Sequence, residues 1–163
     1  MATVDLATGI NDAKHMSRHG ATNVPYVVDV TLNYATALTE KGSALAAADV
    51  FQVMDIPAET VILAAGIEQV TAADSTAATL DLGVTGVDTD VFVDGFDAVG
   101  GTGYAQNPAA FQPVVIGASA DTLDVTLATL TGTLATGSVR VWAVLCDVNA
   151  ASAPGAAQYN ATA

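Results

Sequence analysis

The feature that most constrains this fold is a two-residue hydrophobic period that returns along the chain between turn residues. In 26–34 (YVVDVTLNY), Val28, Val30, Leu32 and Tyr34 alternate with Asp29, Thr31 and Asn33. Successive side chains of a strand point to opposite faces, so the pattern predicts a half-buried strand. The rhythm returns at 49–56, 60–71, 78–84, 113–118, 122–131 and 138–148. A short strand is expected at 91–93, inside an Asp-rich loop. Gly66, within 60–71, predicts a bulge or bend. Residues 35–48 (ATALTEKGSALAAA) are Ala-rich and compatible with a short helical turn, but Gly42 and Ser43 favour a loop there. Segment 138–148 is apolar on both faces: Val139, Val141, Ala143 and Leu145 on one, Trp142, Val144, Cys146 and Val148 on the other. It is expected to be a central strand or to lie against a partner subunit. About eight strands with turn chemistry between them predict an all-β protein, an antiparallel β-sandwich of jelly-roll-like type.

The ends are different. Residues 1–24 hold scattered apolar positions interrupted by Gly9, Asn11, Asp12, Gly20 and Asn23, and are expected to form an extended N-terminal arm. The body is residues 25–148. Residues 149–163 (NAASAPGAAQYNATA) have no period and few large side chains, and read as a flexible C-terminal tail.

Charge excludes several functions. The chain has 17 Asp plus Glu against 4 Lys plus Arg, a net charge of -13. Two bases, Lys14 and Arg18, balance Asp5 and Asp12 in the arm, so residues 25–163 carry the whole imbalance. So few bases cannot neutralise a run of phosphates, and no nucleic-acid partner is expected. An anionic membrane is excluded for the same reason, and no apolar run is long enough to span one. The first 20 residues lack an apolar h-region, so no signal peptide is expected and synthesis in a cytoplasm is. A single cysteine rules out an internal disulfide framework and a Cys-based zinc site.

Chemistry is sparse. Asp88, Asp90, Asp94 and Asp97 put four carboxylates within ten residues, a weak candidate for calcium. The EF-hand spacing fails: Phe92, Val93 and Val99 stand where Asp or Asn, Gly and Glu are needed. The plainer reading is a solvated acidic loop with a turn at Asp94-Gly95. His15 and His19 have the i, i+4 spacing of a helical metal pair, but no nearby acid or cysteine completes a ligand set. Lys14, His15, Arg18 and His19 are instead candidates for contact with an acidic partner surface. Cys146 reads as a buried structural thiol, and Gly100-Gly-Thr-Gly103 lacks the lysine of a phosphate-binding loop. No nucleophile with its base is recognisable, no cofactor is implied, and no enzymatic activity is expected.

The stretch 49–68 (DVFQVMDIPAETVILAAGIE), continued by 79–86 (TLDLGVTG) and 90–95 (DVFVDG), resembles small head proteins of tailed phages, marine and cyanobacterial phage types among them. The resemblance implies a capsid decoration or cement protein. It also implies a β-sandwich on the outer capsid surface of the virion, often a homotrimer, partnered by the major capsid protein and reinforcing the shell. No catalytic residues carry over from it. The alternative is a carbohydrate-binding or fibre-type adhesin sandwich. Against it, one Trp and four Tyr offer little for sugar stacking.

Overall fold

A computed structural model describes residues 3–5, 25–100, 104–105 and 113–148. Ten strands and one helix are present among these residues: β1 (Thr3–Asp5), β2 (Tyr26–Asn33), α1 (Tyr34–Lys41), β3 (Val50–Ile56), β4 (Thr60–Thr71), β5 (Ala77–Val84), β6 (Asp88–Asp97), β7 (Tyr104–Ala105), β8 (Val114–Val115), β9 (Asp121–Thr131) and β10 (Ser138–Asp147). They form two sheets. Sheet I has the order β1-β3-β9-β5-β6, and sheet II the order β2-β10-β4-β7, with β8 also pairing β4. All pairings are antiparallel except β1 with β3.

The connectivity is nested. β2 pairs β10, β3 pairs β9, β4 pairs β8, and β5 pairs β6. Winding inward from both ends in this way makes the antiparallel sandwich jelly-roll-like. The period-two pattern produces it directly. Val139, Val141, Ala143 and Leu145 of β10 are fully buried, as are Leu123, Val125 and Leu127 of β9 and Leu80 and Leu82 of β5. Together with Phe51, Met54, Ile62, Ile67 and Phe92, residues of both sheets form one hydrophobic core. β10 is central, flanked by β2 and β4, which accounts for its buried inner face.

Several local expectations are corrected. Residues 34–41 are helical. Asn33 Oδ1 accepts from the N–H groups of Ala35 (2.9 Å) and Thr36 (3.2 Å), and Gly42 closes the other end at φ 69°. Gly42 and Ser43 therefore stop a helix rather than prevent one. Tyr34, expected at the end of a strand, is its first residue. The Asp-rich segment is a ten-residue edge strand, not a loop with three strand residues. In 113–118 only Val114 and Val115 pair. The bulges of β4 fall at Leu63 and Val70 and not at Gly66, which pairs in register with Trp142. Residues 3–5, within the expected arm, add a parallel edge strand to sheet I.

Candidate functional site

The outer faces of the two sheets differ sharply in chemistry. On sheet II, the outward positions of β10 are Arg140, Trp142, Val144 and Cys146, the side chains that alternate with the buried set. Register sets their neighbours. Val144 lies opposite Val27 of β2 and Ala64 of β4, and Cys146 opposite Val61, which in turn faces Val115 of β8. Val27 is 69% exposed, Val115 63% and Val148, just past β10, 44%. One end of this face is therefore a valine and alanine patch drawn from four strands. The other end is polar. Arg140 sits between Thr31 and Glu68, and its Nε donates to Glu68 Oε2 at 3.1 Å, both side chains about half exposed. Cys146 is half-buried on this outer face rather than the fully buried structural thiol expected.

Sheet I presents the opposite character. Its outward rows pair Asp55 with Thr122, Gln52 and Gly83 with Asp124, Asp81 with Thr126, and Thr79 with Thr129 and Asp97. No base lies on these rows. The two bases among the described residues are elsewhere: Arg140 on sheet II, and Lys41 on α1. Lys41 Nζ donates to Asp49, itself almost fully buried, and to the Ala44 carbonyl at 2.7 Å.

The carboxylates of sheet I are held by local donors. Asp124 accepts from the Thr85 and Thr122 hydroxyls and from the Thr85 N–H. Burial nevertheless pushes its pKa above the ordinary carboxylate value, against the lowering effect of those bonds. Asp81 is also raised, mainly by burial, while accepting from Gly95 N–H at 2.8 Å.

The four sequence-predicted carboxylates all fall on β6, but they do not form one site. Asp88 and Asp90 interact with each other: the shared hydrogen bond raises Asp90 and lowers Asp88. Asp97 Oδ1 accepts from the N–H groups of Val99 (2.8 Å) and Gly100 (3.1 Å), closing a turn. Asp94 sits at the irregularity where two residues of β6 oppose one of β5. Among the described residues no group of three or more His, Cys, Asp or Glu side chains is placed to hold a metal ion. Lys14, His15, Arg18 and His19 lie outside the described residues.

The apolar outer face of β10 is legible in the sequence, but its extent is not. Val27 shares its parity with Asp29, Thr31 and Asn33, and Val115 lies in the short apolar segment 113–118. Only pairing across four strands joins them.

No family model matches the sequence, and no curated protein matches it. Two solved structures share the fold. One is a chain from the capsid of Ralstonia phage GP4, with a TM-score of 0.57 and 15% identity, covering 78% of this chain and 86% of that one. Another is a chain from the capsid asymmetric unit of cyanophage Pam1, with a TM-score of 0.56 and 17% identity, covering 83% of this chain and 95% of that one. At these identities the likeness establishes a common fold. The sandwich implied by the resemblance to phage head proteins is the fold observed, and the solved chains that share it come from phage capsids.

Proposed function

We propose that this chain is a virion structural protein that decorates or cements the outer surface of a phage capsid and stabilises the shell. The observation that carries the reading is coverage. The shared sandwich accounts for 86% and 95% of chains taken from two phage capsids. A single jelly-roll-like unit of about this size is thus nearly the whole of each of those chains, rather than a domain within a larger one. The major capsid protein is the partner in this reading, and the chain works as a homotrimer, with no cofactor and no catalytic residue.

The chemistry of the faces fits. An acidic, threonine-rich face suits contact with solvent and keeps free copies soluble. An apolar face suits contact with protein. The arm, with Lys14, His15, Arg18 and His19, is the segment that reaches the lattice. An exposed ion pair contributes only up to about 1 kcal/mol, so the arm's charges set register more than affinity. Cosedimentation with purified shells tests the proposal. Saturable binding at a fixed ratio of copies to shell subunits is the expected result, and failure of the chain to pellet with shells at any concentration would refute it.

A further inference from the structure

Resting on the virion reading above, we propose that the apolar outer face of sheet II is the surface through which copies of this chain join one another. The occupant is a second copy. Val27, Val61, Ala64, Val115, Val144 and Val148 form a continuous patch across β2, β10, β4 and β8, and Val27 and Val115 are each more than 60% exposed. Valines scattered singly on a surface need no explanation, but a contiguous patch of them marks a contact.

Charge selects the partner. Two copies at -13 each repel wherever their carboxylates meet. The outer face of sheet I offers Asp55, Asp81 and Asp97 with no base among them, so stacking it against another copy is unfavourable. On sheet II, Glu68 is already neutralised by Arg140. Among the described residues, Asp29 is then the charge at the outward positions of β2, β4, β8 and β10 that has no ion pair. It lies opposite Trp142, two residues along the pairing from Arg140. The face therefore carries a net charge of only one negative unit beside its apolar patch, so of the two outer faces it is the one where another copy meets least repulsion. A basic partner would settle on sheet I instead, and a purely apolar one would leave Asp29 facing it.

The test is the mass of the full chain by sedimentation velocity and light scattering, for wild type, Val27→Glu, Val115→Glu and the double variant. The wild type is expected to be oligomeric and to associate more strongly as salt screens the repulsion between copies. Each substitution should weaken association roughly tenfold or more. Melting of the dissociated chain should be almost unchanged, because both valines are exposed. Thr129→Glu, on the outer face of sheet I, should leave the mass as it is. A wild type that stays monomeric at millimolar concentration in high salt overturns the interface. So does a double variant that keeps the wild-type mass, or a Thr129→Glu chain that dissociates equally. Shell binding separates this inference from the reading beneath it. An oligomer that V27E/V115E dissolves, but that never binds shells, refutes the virion role and keeps the interface. A chain that binds shells as a monomer refutes the interface and the homotrimer but keeps the role on the shell.

Discussion

Ala48 carries a left-handed backbone, φ 69°, while its N–H donates to the Leu127 carbonyl at 2.7 Å. An L side chain in that region costs about 1–2 kcal/mol. Ala48→Gly removes this cost and adds about 0.4–1 kcal/mol of unfolded-state entropy. A net stabilisation of roughly 0.5–1 kcal/mol is expected, read as a melting temperature higher by about 2 °C. The Lys41–Asp49 pair is a different case. Asp49 is 2% exposed and also accepts from the Ala46 N–H at 2.8 Å, so one carboxylate ties the end of α1 to the start of β3. Removing one partner of a buried pair leaves the other charge uncompensated. Asp49→Ala is expected to cost about 3–5 kcal/mol in chemical denaturation. Asp124 sets a pH dependence. Its pKa is raised by burial, so folding favours its protonated form. The stability it contributes is present below the ordinary carboxylate pKa and is lost as pH rises through the raised value. Asp124→Asn should therefore melt at a temperature less dependent on pH across that interval, and at least as high as the wild type at neutral pH. Asp74, lowered by N–H donors from Ala135 and Thr136, acts with the opposite sign: its contribution is lost as pH falls.

Elements were legible where one side chain in two was apolar. The strands 26–33 and 138–147 follow that pattern closely, whereas 50–56, 60–71 and 121–131 bury neighbouring residues in places, with bulges in the first two of these. α1 was harder to see, since only Tyr34 and Ala37 of its eight residues are buried and no apolar stripe marks it. Its signals were its caps, Asn33 and Gly42. β6 was read as a loop because Asp88, Asp90, Asp94 and Asp97 outweigh Phe92, Val93 and Phe96, the three residues that reach the core. An edge strand needs few apolar residues, and acids along it discourage pairing with other chains. The β5–β6 pair depends on a close approach that no composition reveals. A Cβ on Gly83 would stand 2.1 Å from the Asp88 carbonyl oxygen and 2.4 Å from the Thr89 carbonyl carbon. Gly83→Ala must push the two strands apart, at an expected cost of about 1–3 kcal/mol, checked by thermal melting. Amide exchange should rise first in β6.

At the scale of the whole molecule, the sandwich separates its surface into two kinds. The sequence indicated a net charge of -13 on the body, but not where the carboxylates lie. That distribution follows from register, which a one-residue slip would invert. The candidate site was legible only in part for the same reason: β10 could be recognised as apolar on both faces, whereas Val27, Val61 and Val115 become its neighbours only through pairing. Every buried apolar side chain of the described core lies at or after Val30. Deleting residues 1–24 removes β1 and its short pairing with β3 but none of the described core residues. The truncated chain is expected to keep its strand content by circular dichroism, to melt a few degrees lower, and to lose shell binding. Unfolding of the truncated chain would mean that β1 is needed to seal the edge of sheet I.

Electron cryomicroscopy of phage particles whose genome encodes this chain tests the proposed place on the shell. The expected reconstruction has copies of a two-sheet sandwich standing on the outer capsid surface, clustered about three-fold positions, with the acidic sheet toward solvent. A shell whose outer surface bears no such density, with the chain found on a fibre or missing from the particle, would contradict it.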